Sequence, residues 1–359
     1  MKRGILTILV LLLGTLPAFG NSIGLNLKEA DLVLAGTLHK EQAGESHFDL
    51  YSVFGVEVFR GELPAEDFRI VYPRTLDFHV ALEDGKRTLL FLREVDTDIG
   101  LEFTGTLYFA FAAELGAVTL EGEEGNLLVE ATRAQAALVD AAPARKAVVL
   151  AGLLRRALEP GRPRFLQSVA IDAIRTPGAF DRLDSGDRSR LLSRYRESVP
   201  CSELKRCLLD TLGEARPEGL TEELVKTVRS VEGGYHRDQI AAILAGTDCE
   251  NAIGCLVGGF EKVEVEAVRA NVLYVLGRMG RGRGVPAIRS VMNLRLRGVQ
   301  KAAVEALFAD RTSAAVAALG EIASGNWKSE DVEAAISRLA SINTRDARSN
   351  LSRISADGR

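Results

Sequence analysis

Along the C-terminal two thirds of the chain the apolar positions follow a helical rhythm that restarts about every 32 residues. Leu212, Leu244, Leu276, Leu307 and Leu339 are spaced by 32, 32, 31 and 32 positions. Four places upstream of each stand Leu208, Ile240, Val272, Ala303 and Ala335, their i,i+4 partners on one helical face. A period of this length predicts a solenoid, in which each unit is too small to shield its own apolar face and buries it against its neighbours. Within a unit the pattern predicts two helices. VEVEAVRANVLYVLGRMG is followed by GVPAIRSVMN, and RGVQKAAVEALFAD by TSAAVAALGEIAS. The breaks RPEG, GRGR and ADRTS carry the Gly, Pro, Asp and Thr expected between paired helices. Residues 165–174 and 188–197 predict an earlier, less regular unit. Residues 332–339 and 345–354 predict the last one, whose polar second helix suits a cap.

Before residue 131 the period changes from helical to alternating. Strands are predicted at residues 31–39, 48–60, 68–72, 87–93, 106–112, 118–120 and 127–129. The polar KEQAGES stretch between the first two reads as a hairpin loop. Leu89, Leu90, Phe91 and Leu92 are apolar on both faces, as in a strand covered on both sides. Short antiparallel strands in a segment of this size predict a small closed barrel or sandwich.

Charge changes where the period does. Residues 21–130 carry 8 Lys and Arg against 21 Asp and Glu, a net of −13, whereas residues 131–359 carry 35 against 28, a net of +7. The chain opens MKRGILTILVLLLGTLPAFGNS. Lys2 and Arg3 form a positive start, residues 5–13 an apolar run, and Ala18-Phe19-Gly20 a small-residue cleavage pattern, which together predict a secretory leader cut after Gly20. The run is shorter than the ~20 residues that span a bilayer. The expected organisation is a leader at 1–20, a β-barrel at 21–130, a helical linker at 131–163 and a solenoid at 164–359. The expected location is periplasmic or secreted, with no integral membrane segment.

The phrases ADLVLAGTL, YSVFGVEVFRGEL and GKRTLLFLRE resemble an opening of secreted bacterial proteins. There a strand, a long hairpin and a G-x-x-x-L-L-F-L strand form an OB-like barrel similar to the metalloprotease-inhibitor and netrin modules. Those inhibitors reach a catalytic metal through an N-terminal cysteine, and residues 30–130 contain none. Protease inhibition is therefore not carried over. EAVRANVLYVLGRMGRGRGVPAIRSV, with an early Arg and a Val-Pro opening the second helix, resembles short HEAT-like repeats of the phycobilisome-lyase type. The resemblance implies a scaffold. No residue set supports a pigment partner, and none points to nucleic acid. The predicted fold class is α+β in two domains, an antiparallel OB-like barrel followed by an α-solenoid of HEAT-like repeats.

Candidate chemistry is sparse. Cys201, Cys207, Cys249 and Cys255 form two pairs, each with five intervening residues. Zinc pairs are usually two to four residues apart, and an even cysteine count in an oxidising compartment favours disulfides. Two local staples are expected, Cys201–Cys207 and Cys249–Cys255, with a crossed pairing as the alternative. Helical positions i and i+6 lie about 9 Å apart along the axis, beyond the ~7 Å that a disulfide spans between Cα atoms. Each first cysteine must therefore precede its helix, and each staple would contribute about 2 kcal/mol. His39 and His47 flank the predicted hairpin loop; His79 and His236 complete the set. They read as solvated, with a metal site as the alternative. The EGEEG at 121–125 reads as a solvated turn, and the glycines at 277, 280, 282 and 284 as a helix–helix turn without P-loop features. No hydrolase or metalloprotease motif and no cofactor motif occurs.

Between Glu266 and Glu305 there is no acidic residue, yet Arg269, Arg278, Arg281, Arg283, Arg289, Arg295, Arg297 and Lys301 fall there. They are the candidate partner-binding residues, an electropositive stripe that steers an anionic protein or peptide. The expected function is a non-enzymatic, extracytoplasmic scaffold binding a protein or peptide along the solenoid. The alternatives are an inhibitor or ligand-binding module acting through barrel loops, and a metal-dependent enzyme subunit.

Overall fold

The computed structural model describes residues 22–41, 48–65, 67–73, 82–95, 103, 105–110, 117–247, 249–279, 281–296, 298–325 and 327–356. The leader, His47, His79 and Arg297 lie outside these residues. The chain divides into two compact units, the first ending at Arg194 and the second starting at Tyr195.

In the first unit, strands β1 (Leu32–Glu41), β2 (Phe48–Arg60), β3 (Phe68–Pro73), β4 (Arg87–Glu94), β5 (Thr106–Ala110) and β6 (Ala117–Thr119) form one sheet. Its order is β1-β2-β3-β5-β4-β6, and a further pairing of β1 with β4 closes the ring into an OB-like barrel. Leu34 pairs with Leu90 and Tyr51 with Ile70 in antiparallel register. The barrel is not antiparallel throughout, because β3 and β5 run parallel, with Ile70 beside Tyr108. Leu34, Leu38, Tyr51, Ile70, Leu90 and Tyr108 fill the interior. Leu89 and Phe91, on the other face of β4, are equally buried. Both faces of that strand are thus dry, as its unbroken apolar run requires.

Helices α1 (Ile23–Glu29) and α2 (Gly122–Ala136) pack on the barrel, and α3 (Pro143–Ala157) and α4 (Pro163–Ile174) pack on these helices and on each other. Helix α5 (Ser185–Glu197) follows. Helix α1 contacts α2, α4 and β4. Two expectations need correction here. Residues 127–129 belong to α2, not to a strand, and EGEEG opens that helix instead of forming a solvated turn. Glu123 and Glu124 occupy the first helical turn, where negative charge is favoured. Glu124 also accepts a hydrogen bond from the Phe165 amide.

The second unit is a stack of helix pairs. The first helices of the pairs are α6 (Glu203–Ala215), α8 (Arg237–Gly246), α10 (Glu266–Arg278), α12 (Val299–Asp310) and α14 (Ser329–Ser341). The second helices are α7 (Leu220–Val228), α9 (Cys249–Val257), α11 (Val285–Met292), α13 (Ser313–Ser324) and α15 (Arg345–Ala356). First helices pack on first helices and second on second. All five recurring leucines and all five of their upstream partners are fully buried. The 32-residue period is thus the spine of this core. Where α10 meets α12 the backbones touch: a Cβ added to Gly277 would collide with the Ala306 carbonyl oxygen.

Candidate interaction edge of the helical stack

Because the helices of each pair alternate in direction, the connections fall on two opposite edges of the stack. One edge holds the turns within pairs, and the other the links between pairs. The links lie side by side. The Tyr235 hydroxyl hydrogen-bonds Cys201, which holds its phenol above the usual range. Arg229 donates to the Gly258 carbonyl, Asn271 Nδ2 donates to the Ser230 carbonyl at 3.4 Å, and Gly298 lies against the Glu266 side chain.

On this linking edge stand Val199, Val231, Tyr235, Val265 and Leu294, which are 70%, 67%, 65%, 49% and 43% exposed. They are all of the strongly exposed large apolar side chains in the second unit, among the described residues. Among the described residues of this unit none occurs on the helix faces or on the opposite edge. The half-buried Trp327, the sole tryptophan, continues the row into the last link. Sequence reasoning missed this row, although its signal is in the chain. Val199, Val231 and Leu294 each lie 13 places before a recurring leucine, and Val265 lies 11 before.

The row leads to a cavity of about 200 Å³ between the C-terminal ends of α11 and α13. Arg289, Met292 and Asn293 form one wall, Ala318, Glu321 and Ile322 the other, and Trp327 closes one side. Arg289 and Glu321 are ion-paired across it. Such a pocket offers an apolar lining with a polar pair at its mouth, a combination that fixes the position of one inserted side chain.

The seven candidate cations among the described residues do not form one stripe. Arg278, Arg281 and Arg283 sit at the turn between α10 and α11, on the edge opposite the apolar row. Arg269, Arg295 and Lys301 sit at the linking edge, separated from the first group by the length of α10, about 20 Å. Several are already engaged: Arg278 with Asp238 and Tyr274, Arg289 with Glu321, and Arg269 with the Val263 carbonyl. Arg295 and Lys301 are exposed and form no ion pair among the described residues. At the far end of the same edge the links carry Glu203, Glu232, Glu261 and Glu264. They stand among Arg206, Arg229 and Lys262, and Glu203 pairs with Arg206, so that end is mixed in charge, whereas Arg295 and Lys301 stand at the end with the cavity.

The four cysteines are free thiols in the structure. Cys249 lies inside the first turn of α9, so Cys249 and Cys255 are six helical positions apart and cannot be bridged with that helix intact. Cys201 does precede α6, with φ of 64°, and Ser202 caps the helix as its sequence predicts. His39 is exposed and lies 3.8 Å from Asp84. Burial and the nearby Lys205 and Arg206 lower the His236 pKa, against a Gln239 hydrogen bond. Among the described residues no group of three His, Cys, Asp or Glu side chains is placed to hold a metal ion. None of the described helices is long and apolar enough to cross a membrane. Comparison of the chain with protein-family models, with curated proteins and with solved structures gives no match, so the reading of this edge rests on its own geometry.

Proposed function

We propose that this protein is a non-enzymatic interaction scaffold, acting outside the cytoplasm, which binds an extended segment of a partner protein along the linking edge of its helical stack. One observation carries the reading: the strongly exposed large apolar side chains of the second unit are confined to that edge, about one link apart. Exposed apolar side chains gathered in this way mark interaction sites, whereas scattered ones need no explanation.

The pitch of the row identifies the kind of partner. Packed helices are about 8–10 Å apart, and a polyproline II chain, the extended form whose side chains return to one face every third residue, rises about 3.1 Å per residue. An extended segment thus advances one repeat about every three residues. A partner with an apolar side chain at every third position meets each link in turn. Its acidic end belongs beside Arg295 and Lys301, and its anchoring side chain in the cavity beside Trp327. This keeps the expected anionic character of the partner but confines it to one end.

The test is selection of linear peptides from a random displayed library on the purified protein. Enriched sequences should carry apolar residues three apart and acidic residues at one end. Val231→Asp and Leu294→Asp should abolish their binding, while Arg281→Glu with Arg283→Glu on the opposite edge should leave it intact. Selected peptides indifferent to the first pair and sensitive to the second would sink the proposal.

A further inference from the structure

Four helices of the first unit bring polar residues to one point. Gly24 of α1, Gln135 of α2, Lys146 of α3 and Asp172 of α4 border a cavity of about 110 Å³. Asp172 and Gln135 are both buried. Asp172 holds α1 in place: Ser22 Oγ donates to its Oδ1, and the Gly24 amide donates to its Oδ2 at 3.0 Å. Position 24 has no room for a side chain, because a Cβ there would lie 2.8 Å from both Asp172 Oδ1 and Gln135 Oε1. A carboxylate offers about four acceptor positions, so α1 leaves part of this one unused. Among the described residues no cation is within ion-pair distance of Asp172, and Arg175 acts on it only at longer range. Burial pushes its carboxyl above the ordinary range, against the hydrogen bonds from Ser22 and Gly24. The Gln135 amide nitrogen is buried beside that carboxyl and makes no well-aligned hydrogen bond among the described residues. A buried carboxyl without a positive partner, next to a buried donor without an acceptor, is costly until a ligand supplies both.

The rest of the lining narrows the chemistry of that ligand. Leu25, Leu138 and Val149 give the cavity apolar walls. Lys28 and Arg175 border it as exposed side chains and form no ion pair among the described residues. Lys146 is already committed to the Val139 carbonyl at 2.6 Å. The cavity thus offers one buried negative group, two uncommitted positive groups at its rim and an apolar wall between them. We propose that it binds a small apolar α-amino acid as the zwitterion. The ammonium group donates to Asp172, and the carboxylate accepts from Arg175, Lys28 and the Gln135 amide nitrogen. The side chain lies against Leu25, Leu138 and Val149. A simple amine would leave both rim cations unused, and a simple carboxylate would meet Asp172 as a like charge. The volume is below the ~150 Å³ of a cavity that takes benzene, which limits the side chain to about the size of alanine or valine. This site is independent of the scaffold reading.

The test titrates the purified protein with alanine, valine and phenylalanine, read by calorimetry and by melting temperature. Alanine and valine should bind and raise the melting temperature, and phenylalanine should be excluded by its size. N-acetylalanine, which lacks the ammonium charge, and alaninamide, which lacks the carboxylate, should each bind about tenfold more weakly or worse, the effect of losing one charged hydrogen bond. Ethylamine and propionate, each carrying one charge alone, should show the same loss. Arg175→Glu should weaken alanine binding by a similar factor. Because Arg175 is exposed, that variant keeps the fold, whereas Asp172→Asn would also loosen α1. Neither heat nor a melting shift with alanine and valine at about 10 mM, equal binding when either charge is blocked, unchanged alanine binding in Arg175→Glu, or phenylalanine binding best would overturn the proposal.

Discussion

Gly277 and Leu294 are 17 positions apart and answer opposite demands. At Gly277 two first helices touch backbone to backbone. Gly277→Val should cost at least the ~1–3 kcal/mol typical of overpacking, read as a lower midpoint in urea. Leu276→Ala, beside it in the spine, should cost about 2–5 kcal/mol by leaving a cavity. Leu294→Ala should change stability by no more than about 0.5 kcal/mol, because that side chain lies in a link at the surface, outside the buried spine. The cysteines allow a simpler count. Titration of native protein should show Cys201 reacting first and Cys255 next, with Cys207 and Cys249 reacting only on unfolding. A total of four thiols is expected in denaturant; two would fit a Cys201–Cys207 bridge alone, and none would show that the helix start at Cys249 gives way to oxidation.

At the scale of elements, the joint between α3 and α5 is electrostatic. Asp187 is buried, with Arg155 Nε at 2.7 Å and Arg190 Nη2 at 2.5 Å. Burial pushes its carboxyl up, but the two guanidinium groups together outweigh burial and hold it below the usual carboxylate range. A carboxyl with a depressed folded-state pKa stabilises above its unfolded value, and that contribution is lost as pH falls through the folded one. Acid unfolding of the first unit should therefore include an Asp187-dependent step below about pH 4. Asp187→Asn should flatten that step in a fluorescence or circular-dichroism titration, and should lower stability at pH 7. Elements were legible to very different degrees. The second strand is read from sequence at Phe48–Arg60 and observed there, because its alternation is long and ends at Gly61. The helical spine is equally plain, since the same face recurs five times. The parallel pairing of β3 with β5 was not legible, because alternation fixes which face of a strand is buried and not which strand lies beside it. Residues 127–129 misled as a strand because three apolar residues carry no period of their own. Helix α1 was missed since its seven residues are held by Ser168 and Asp172, about 150 positions away.

For the whole molecule, the candidate site was half legible. The basic window was plain in the sequence, but helix geometry sends its members to two edges, and pairs such as Arg289 with Glu321 consume part of its charge. The apolar row was visible only once the spine had set the phase against which to look. If the basic end of the edge steers the partner, raising ionic strength from about 0.05 to 0.5 M should slow association by up to tenfold. Dissociation should change little, because apolar contacts and the cavity hold the complex. Rapid-mixing kinetics with a selected peptide would show this; a salt effect confined to dissociation would argue against steering.

The row of exposed side chains lies in the links, and the residues that hold the stack together lie within the helices or, like Phe260, are buried beneath the links. The two sets share no position. A change at Val231 or Leu294 alters what the surface prefers without touching what keeps it upright, so such a molecule can drift to new associates through a handful of substitutions while its melting behaviour stays constant.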